Sequence, residues 1–378
     1  MTGISLFITC APALEPLLQE ELKELGIEQT HAGYRGVYID DWNWSTIYKI
    51  NYGSRIAARV LLPLSKFKCF HRNSLYEAIA GLDWTPLFKE GRTFAIDANV
   101  THKELRNSLF AAQVVKDAIC DQLREKTGKR PSVDTANPDI QLNLFVYQNN
   151  GVISFDTSGV PLHKRGYRQE SVEAPIQESL AAAILRLAKY SPQDVMLDPC
   201  CGSGTLLIEA ALMATNTPPG YLRQQWGFMR HPAFRTEEWL AVRNKLDENR
   251  IPLQPGHLFG VDISKNAVRS CKINLKAAGF SNTVEVVQGD FKEFTPTIAP
   301  NLIITNPPYG NRLEDVQLLS PFYRALGDFL KQKCAKPARG YIFTGNLEMT
   351  KEVGLAAKKR HVLTTGGIEA RLLEFDLY

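Results

Sequence analysis

Five residues at positions 306–310, Asn-Pro-Pro-Tyr-Gly, have the residue types and spacing best suited to chemistry. Two successive prolines remove two backbone donors and hold the turn extended and rigid. The side-chain oxygen of Asn306 and the carbonyl of Pro307 can then accept both hydrogens of one amine, which favours a pyramidal nitrogen with an available lone pair. Tyr309 offers a ring for base stacking, for about 1–3 kcal/mol. The motif predicts a site for the exocyclic amine of a nucleobase; the alternative is a proline turn with a packing aromatic residue.

A second candidate site is the glycine loop in residues 198–205, Asp-Pro-Cys-Cys-Gly-Ser-Gly-Thr, between an apolar run and an apolar helix. Such a strand–loop–helix unit is typical of nucleotide-like ligands. The loop has no Gly-Lys-Ser/Thr, and Leu207 stands where a dinucleotide fingerprint has its third glycine. Asp198 would repel a phosphate but suits a cation. The loop therefore predicts S-adenosylmethionine, which carries a sulfonium and an ammonium, and the alternative is a tight strand–helix turn.

Two further acids follow predicted strands at the same edge of the expected sheet, where ligands bind in such folds. Asp262 could accept hydrogen bonds from both hydroxyls of a ribose. Asp290 could accept from an adenine amine, with Phe291 beside the ring. Asp262 could instead cap the next helix, and Asp290 could be a turn residue. Three acids at three successive strand ends favour the binding interpretation.

The composition is that of an ordinary globular protein. The chain has 378 residues, too many for one core, with 44% hydrophobic residues, 22% charged residues and a net charge of +4. Seven scattered cysteines form no Cys-x-x-Cys pair, so neither a disulfide framework nor structural zinc is expected. This use of cysteine indicates a reducing cytoplasm. No apolar run is long enough to cross a membrane, and the first residues are typical of a strand rather than a signal peptide.

The pattern of apolar residues predicts two halves of different architecture. The first half is expected to be an α+β region, of one or two small domains, that ends near residue 157. Its expected strands are 5–9, 34–39, 57–70 and 94–100 and a hairpin of 142–148 and 152–156, and its expected helices are 13–25, 42–51, 74–79 and 106–126. A basic, glycine-containing stretch from residue 158 is interpreted as a linker.

In the second half, strands and helices alternate, which predicts a doubly wound, mostly parallel sheet with an antiparallel hairpin at its C-terminal edge. The expected strands are 195–197, 257–261, 283–287, 301–305, 340–343, 362–364 and 369–377, and the expected helices are 174–189, 206–213, 237–248, 265–278 and 321–332. Residues 217–235, rich in proline, aromatic residues and arginine, are interpreted as an insertion rather than a core element.

These motifs resemble those of a known family. Residues 198–205 and 306–309 resemble motifs I and IV of class I S-adenosylmethionine-dependent amino-methyltransferases, and residues 174–181 resemble the helix that lines the methionine side of the cofactor. The whole chain resembles bacterial THUMP-domain RNA methyltransferases, the group that contains the large-subunit rRNA guanine-N2 methyltransferase. The resemblance implies a ferredoxin-like segment at 1–55, a THUMP domain at 56–157, a linker at 158–173 and a Rossmann-like catalytic domain at 174–378.

The resemblance also implies roles for individual residues. Asn306 and Pro307 would bind the target amine, and Tyr309 would bind the base. The cofactor would be held by Glu178, Asp198, Cys200, Gly202, Ser203, Gly204, Thr205, Asp262, Ile263, Asp290, Phe291 and Asn306. Cys200 and Cys201 are expected to pack rather than to act as nucleophiles, and no metal is expected.

The predicted function is methyl transfer to an exocyclic amine of an RNA base, with guanine N2 of rRNA as the preferred target. Phosphates would be bound by cations such as Lys66, Lys68, Lys129, Arg130, Lys164 and Arg165, although each could equally be a solvated surface residue. An N6-adenine DNA methyltransferase is the first alternative, but no DNA-reading module is evident. A tRNA guanine-N2 methyltransferase and a non-catalytic RNA-binding assembly factor are the others. The sequence predicts no particular oligomeric state.

Overall fold

The structure is a computed structural model that describes residues 4–89, 91–172, 175–310 and 313–378, with the backbone alone at 313–318. Its N-terminal half is built on one mixed sheet. The strands of this sheet are β1 (Leu6–Thr9), β2 (Thr30–Gly33), β3 (Gly36–Ile39), β4 (Arg59–Lys68), β5 (Phe94–Thr101), β6 (Ile140–Tyr147) and β7 (Asn150–Asp156). Their order is β2-β3-β1-β4-β7-β6-β5; β5 and β6 pair in parallel, and the other neighbours pair antiparallel.

Helices pack against this sheet. They are α1 (Glu15–Glu24), α2 (Trp44–Gly53), α3 (Arg72–Ala80) and α4 (Ser108–Thr127). The ends of α4 follow from its flanking residues. The Asn107 side chain accepts the backbone N–H of Phe110 at 2.8 Å, and Gly128 ends the helix with φ of 71°, a left-handed conformation that favours glycine.

The elements predicted for this half are present, with two differences. The predicted strand 34–39 is β3 alone, and β2 was not predicted because Thr-His-Ala-Gly contains no large apolar residue. The hairpin of β6 and β7 turns at Gln148 and Asn149, since Tyr147 pairs with Asn150. Gln148 itself takes φ of 51°.

The C-terminal half is a doubly wound α/β fold. Its strands are β8 (Met196–Asp198), β9 (Leu258–Asp262), β10 (Glu285–Gln288), β11 (Leu302–Thr305), β12 (Ala338–Thr344), β13 (Lys359–Thr365) and β14 (Ile368–Leu377). Its helices are α5 (Glu178–Leu187), α6 (Thr205–Ala214), α7 (Thr236–Asp247), α8 (Lys265–Ala278) and α9 (Leu313–Gln332). The order β10-β9-β8-β11-β12-β14-β13 places a parallel core beside a C-terminal hairpin, as predicted.

Helix α9 begins earlier than predicted. Pro321 was expected in its first turn, where proline is favoured, but the helix begins at Leu313 and Pro321 lies inside it. Ala174, the predicted first residue of the catalytic domain, lies outside the described residues. No helix in the described part of the chain is long and apolar enough to span a membrane.

Residues 217–235 join the two halves, and their interpretation as an insertion outside the core is wrong. The rings of Trp226 and Phe228 are buried and stacked, with centroids 5.7 Å apart. The ring of Phe228 also packs against that of Tyr48 on α2, with centroids 4.9 Å apart. Phe228 lies in a short 3₁₀ helix, Gly227–Arg230, whose backbone bonds to the N-terminal half: the N–H of Phe228 donates to the carbonyl of Thr157 at 2.7 Å.

Between β7 and α5, residues 157–172 and 175–177 form no helix or strand, but the segment is not a loose linker. Arg165 and Tyr167 are buried, and both donate to one oxygen of Glu209 on α6, Arg165 Nε at 3.4 Å and the Tyr167 hydroxyl at 3.0 Å. Burial raises the pKa of Glu209, against the opposing charges of Arg165 and Arg55. The prediction that Arg165 contacts RNA is therefore wrong, because its guanidinium serves this buried network.

Glu209→Ala is expected to lower the free energy of unfolding by about 3–5 kcal/mol, because it leaves Arg165 buried without its carboxylate. Thermal and denaturant unfolding of the whole chain measure the loss. The double variant Arg165→Met/Glu209→Leu is the control and should recover part of the stability, since it removes the ion pair as a unit while Arg55 keeps Glu21 as a nearby carboxylate. A double variant as unstable as the single one would contradict this account.

Candidate active site

The carboxyl ends of β8, β9 and β11 meet at a cleft with a volume of about 1070 Å³. In a parallel sheet these ends share one edge, so residues that are distant in sequence come together there. The predicted site residues that line the cleft are Asp198, Cys200, Gly202, Ser203, Thr205, Asp262, Asn306, Pro307 and Tyr309.

The glycine loop is shaped by its close approach to neighbouring elements. Gly204 precedes α6 with φ of 84°, and a Cβ there would lie 2.5 Å from the Sγ of Cys271 on α8. Gly202 has φ of 54°, and its N–H donates to Oδ2 of Asp262 at 2.9 Å. A Cβ would clash at Gly204, whereas at Gly202 the left-handed φ alone favours glycine, and the loop is held against the end of the neighbouring strand.

Asp198 is the buried carboxyl group of the cleft, with 2% of its surface exposed. Its Oδ1 accepts the N–H of Cys200 at 3.1 Å. Burial, with a smaller contribution from the negative charge of Asp262, raises the pKa of Asp198 to about 7. A buried carboxyl group that a second, half-buried carboxylate repels favours a positively charged ligand.

Each carboxylate oxygen of Asp262 already accepts one hydrogen bond from the backbone. Oδ2 accepts from Gly202, and Oδ1 accepts the N–H of Ser264 at 2.9 Å. The cap of α8 is Ser264, whose Oγ accepts the N–H of Ala267 at 3.3 Å, so Asp262 is not needed as the capping residue. Each carboxylate oxygen has a further lone pair, which leaves Asp262 able to accept hydrogen bonds from a ligand.

The turn after β11 is held from three sides. The Tyr309 hydroxyl donates to Oδ1 of Asn306 at 2.6 Å, and burial raises the pKa of Tyr309. The side-chain amide of Asn346 donates to the carbonyl of Tyr309 at 2.8 Å, and the Tyr323 hydroxyl donates to that of Pro308 at 3.3 Å. These contacts fix the Asn306 oxygen at the wall of the cleft.

Five predicted cofactor residues lie outside the cleft lining in the described part of the chain: Glu178, Gly204, Ile263, Asp290 and Phe291. Ile263 is 73% exposed next to Asp262. The ring of Phe291 is buried against Phe322 and Phe329, with centroids 5.5 and 5.6 Å away. Its proposed place beside an adenine ring stays a prediction, which this packing does not support.

Asp290 and Glu178 each bind a cation of the chain. Asp290 forms an ion pair with Lys292 at 2.8 Å; burial alone would raise the pKa of Asp290, but its hydrogen bonds to Lys292 and the charge of that residue lower it. Oε1 of Glu178, at the start of α5, accepts from Nε of Arg168 at 2.8 Å. Their roles toward the cofactor stay predictions.

Arg168 is a residue that the sequence did not single out for the site. Besides Glu178, it donates to the hydroxyls of Ser203 at 3.1 Å and Thr205 at 2.9 Å, and to the carbonyl of Ile176 at 3.0 Å. It therefore joins the start of α5 to the glycine loop. The only signal in the sequence was its place in the basic stretch, which was interpreted as a linker.

The far wall of the cleft was also missed. Phe322 of α9 and the hairpin turn between β13 and β14, with Thr365, Gly366 and Ile368, line it. The Thr-Gly-Gly-Ile turn was visible in the sequence as a hairpin, but nothing local indicated that it reaches the Asn306 turn.

The cysteines of the loop are suited to packing. All seven cysteines of the chain are free thiols. Burial raises the pKa of Cys200, and a hydrogen bond with Cys271 together with burial raises that of Cys201, so neither is activated as a thiolate. No group of three or more His, Cys, Asp or Glu side chains that could hold a metal ion occurs among the described residues.

Comparisons with known proteins identify the family. A methyltransferase domain described as RMKL-like matches residues 165–373, a THUMP domain matches 72–156 and the RlmL ferredoxin-like domain matches 5–61. The chain belongs to this methyltransferase family. The predicted resemblance, fold class and enzyme class are confirmed, while the domain boundaries stay predictions.

Named relatives cover the chain almost completely. A Synechocystis protein named "Putative RNA methyltransferase slr0064" is 35% identical over 98% of this chain and 96% of its own length. Ribosomal RNA large subunit methyltransferase K/L of Syntrophotalea carbinolica is 36% identical over 99% of this chain, which spans 54% of that protein. The chain thus spans about half the length of this K/L relative.

A solved structure agrees on the fold. The crystal structure of SMU.472 complexed with SAH has a TM-score of 0.87, with 27% identity over 100% of this chain and 99% of that one. SAH is what remains of S-adenosylmethionine after methyl donation, which agrees with the predicted cofactor.

Proposed function

We propose that the chain transfers a methyl group from S-adenosylmethionine to an exocyclic amine of an RNA base, with guanine N2 of rRNA as the target. The observation that carries the proposal is the shared cleft: Asn306 and Tyr309 line the same cavity as Asp198 and Asp262. An acceptor for an amine thus lies beside carboxyl groups suited to a cationic cofactor. Relatives named as RNA and ribosomal RNA methyltransferases support the substrate class.

The residues of the cleft fit this cofactor. Asp198 and Asp262 supply negative charge, and the positive φ angles of Gly202 and Gly204 bring the loop backbone close to a ligand. Asp262 would accept from the ribose hydroxyls, and Asp198 would face the cationic end. When bound, S-adenosylmethionine supplies a methyl group made electrophilic by its sulfonium.

The chain's own part is to hold and orient the amine. Oδ1 of Asn306 accepts the Tyr309 hydroxyl and keeps a lone pair for one amine hydrogen. The Pro307 carbonyl would accept the other hydrogen, which keeps the nitrogen lone pair out of conjugation with the ring. Alignment of this kind converts a bimolecular encounter into a reaction between positioned groups.

RNA is proposed to lie against the N-terminal half as well. The matched THUMP domain and the exposed cations Lys66, Lys68, Arg130 and Lys164, with Lys129, support phosphate contacts there. The base must be unstacked or already single-stranded to reach the cleft. The predicted cytoplasmic location belongs to the same proposal.

The affinity for S-adenosylmethionine is expected to rise with pH up to about 7, the pKa of Asp198, and to level off above it. The raised pKa means that the free protein holds a proton on Asp198 below pH 7, and a cation must displace it, so affinity falls about tenfold per pH unit at lower pH. Calorimetric titration between pH 5.5 and 8 measures this. In Asp198→Asn, the dependence should vanish; if it persists there, Asp198 is not its source.

Transfer of radiolabelled methyl groups from S-adenosylmethionine tests the substrate class. RNA and DNA from cells that lack the gene are offered in parallel. Label in RNA alone is expected, and label in DNA would favour the adenine-N6 alternative. Bound cofactor without transfer to either polymer would indicate that the substrate is a precursor or a particle, and loss of cofactor binding in a calorimetric titration would favour the assembly-factor alternative.

A further inference from the structure

One face of the N-terminal sheet is open to solvent at the end nearest the β6–β7 hairpin. Along β6, Leu142, Leu144 and Val146 are completely buried beneath the helices. The alternate residues Phe145 and Tyr147 point to the other face and are 40% and 52% exposed. Strand residues alternate between faces, so two aromatic rings two residues apart stand about 7 Å from each other on the open side.

The register of the neighbouring strands adds two lysines to this face. Phe145 pairs with Val152 of β7, which pairs with Lys66 of β4. In the next row, Tyr147 pairs with Asn150, which pairs with Lys68. Paired residues share a face, so Phe145, Tyr147, Lys66 and Lys68 form one surface, here called the aromatic–lysine face.

The charges on this face are available to an anion. The amine of Lys68 donates to the Asn150 side chain at 2.7 Å, and neither lysine forms an ion pair with a carboxylate in the described part of the chain. The positive charge of Lys66 acts weakly on Asp40. The pKa of Asp40 is lowered mainly by its hydrogen bond to Ser5 and to a smaller extent by Lys66. Asp97 of β5, in the row before Phe145, is the exposed acid on the same side.

The aromatic rings and lysines of this face suit single-stranded RNA, which offers unpaired bases for stacking and phosphates for the lysines. A base stacked on an aromatic ring is stabilised whatever its identity, and lysines beside it bind the phosphates. A duplex presents phosphates but keeps its bases stacked inside, so it can use only the lysines. We propose that the aromatic–lysine face binds a single-stranded segment of RNA by stacking bases on Phe145 and Tyr147. That the nucleic acid is RNA rests on the function proposed above.

The test compares Phe145→Ala, Tyr147→Ala and the double variant with the whole wild-type chain. Fluorescence anisotropy measures the affinity for a single-stranded oligoribonucleotide and for an RNA duplex of equal length. Each ring removed is expected to weaken single-strand binding about 5- to 150-fold and to leave duplex binding unchanged. Tyr378→Ala removes an exposed ring elsewhere and should change neither affinity.

The lysines give an independent readout. In Lys66→Gln/Lys68→Gln, the slope of log affinity against log salt for the single strand is expected to fall by about 1.4, since each single-strand phosphate contact contributes about 0.7. The matched pair Lys331→Gln/Lys333→Gln, on and after α9, should leave the slope unchanged. An unaltered slope in Lys66→Gln/Lys68→Gln would show that these two lysines do not contact the RNA phosphates.

Single-strand affinity that is unchanged in Phe145→Ala/Tyr147→Ala overturns the proposal. So does a change of oligomeric state in sedimentation without a change in RNA affinity, which would make the face a protein interface. Methyl transfer by the wild-type chain is assayed separately. If no RNA is methylated but the variants lose single-strand binding, the proposed function fails and the RNA-binding face stands.

Discussion

Asn306→Ala is expected to abolish methyl transfer while the affinity for S-adenosylmethionine stays within a few-fold. The variant removes the oxygen that Tyr309 holds at 2.6 Å on the wall of the cleft, and with it one of the two acceptors proposed for the amine. Loss of one positioned group of this kind costs at least about 10²–10³ in kcat. Single-turnover transfer of labelled methyl groups and calorimetric titration of the cofactor measure the two effects separately.

Two further variants define what the Asn306 result means. Tyr309→Phe keeps the ring but loses the hydroxyl that fixes Asn306, so a smaller loss of kcat is expected. Asn244→Ala changes an exposed asparagine of α7 and should leave transfer intact. An Asn306→Ala protein that still methylates at the wild-type rate would show that the amine is held by other groups.

Asp262→Ala is expected to act on cofactor binding first. The carboxylate already holds the N–H groups of Gly202 and Ser264, both at 2.9 Å, and its free lone pairs are proposed to accept two ribose hydroxyls. Hydrogen bonds to a charged group are worth about 1.5–3 kcal/mol each, so the loss of both should lower the affinity by about 10²- to 10⁴-fold. Calorimetry measures the affinity, and transfer at saturating cofactor should recover.

The controls distinguish a loss of hydrogen bonds to the ribose from a displacement of the glycine loop. Asp262→Asn keeps one acceptor oxygen and should lose less affinity than the alanine variant. Asp328→Ala removes an exposed acid on α9 and should have no effect. Wild-type cofactor affinity in Asp262→Ala would show that this residue does not bind the ribose. A loss of kcat that saturating cofactor does not restore would show that the substitution has displaced the glycine loop.

The strand-end residues were predictable because their signals are local. Asp198, Asp262 and Asn306 each follow a short apolar run directly, and a parallel sheet must bring such ends to one edge. The same reasoning placed Phe291 beside the cofactor, which stays a prediction: its ring packs against Phe322 and Phe329, and strand-end position alone does not say which side of the turn a side chain takes.

What the sequence did not reveal depends on contacts between distant segments. Arg165 looks like a surface cation in a basic stretch, and only its pairing with Glu209, 44 residues away, buries it. Trp226 and Phe228 lack any helical or strand period, so nothing in the sequence showed that they fill the space beside Tyr48 and Trp239. Arg168 was likewise unremarkable until the fold brought the glycine loop beside it.

The identity of the methylated nucleoside tests the central claim most directly. Ribosomal RNA from cells that lack the gene is treated with the protein and labelled S-adenosylmethionine, and its nucleosides are separated after digestion. Label in N2-methylguanosine, absent with Asn306→Ala, is the predicted result. Label in N6-methyladenine, or transfer that does not depend on Asn306, would contradict it.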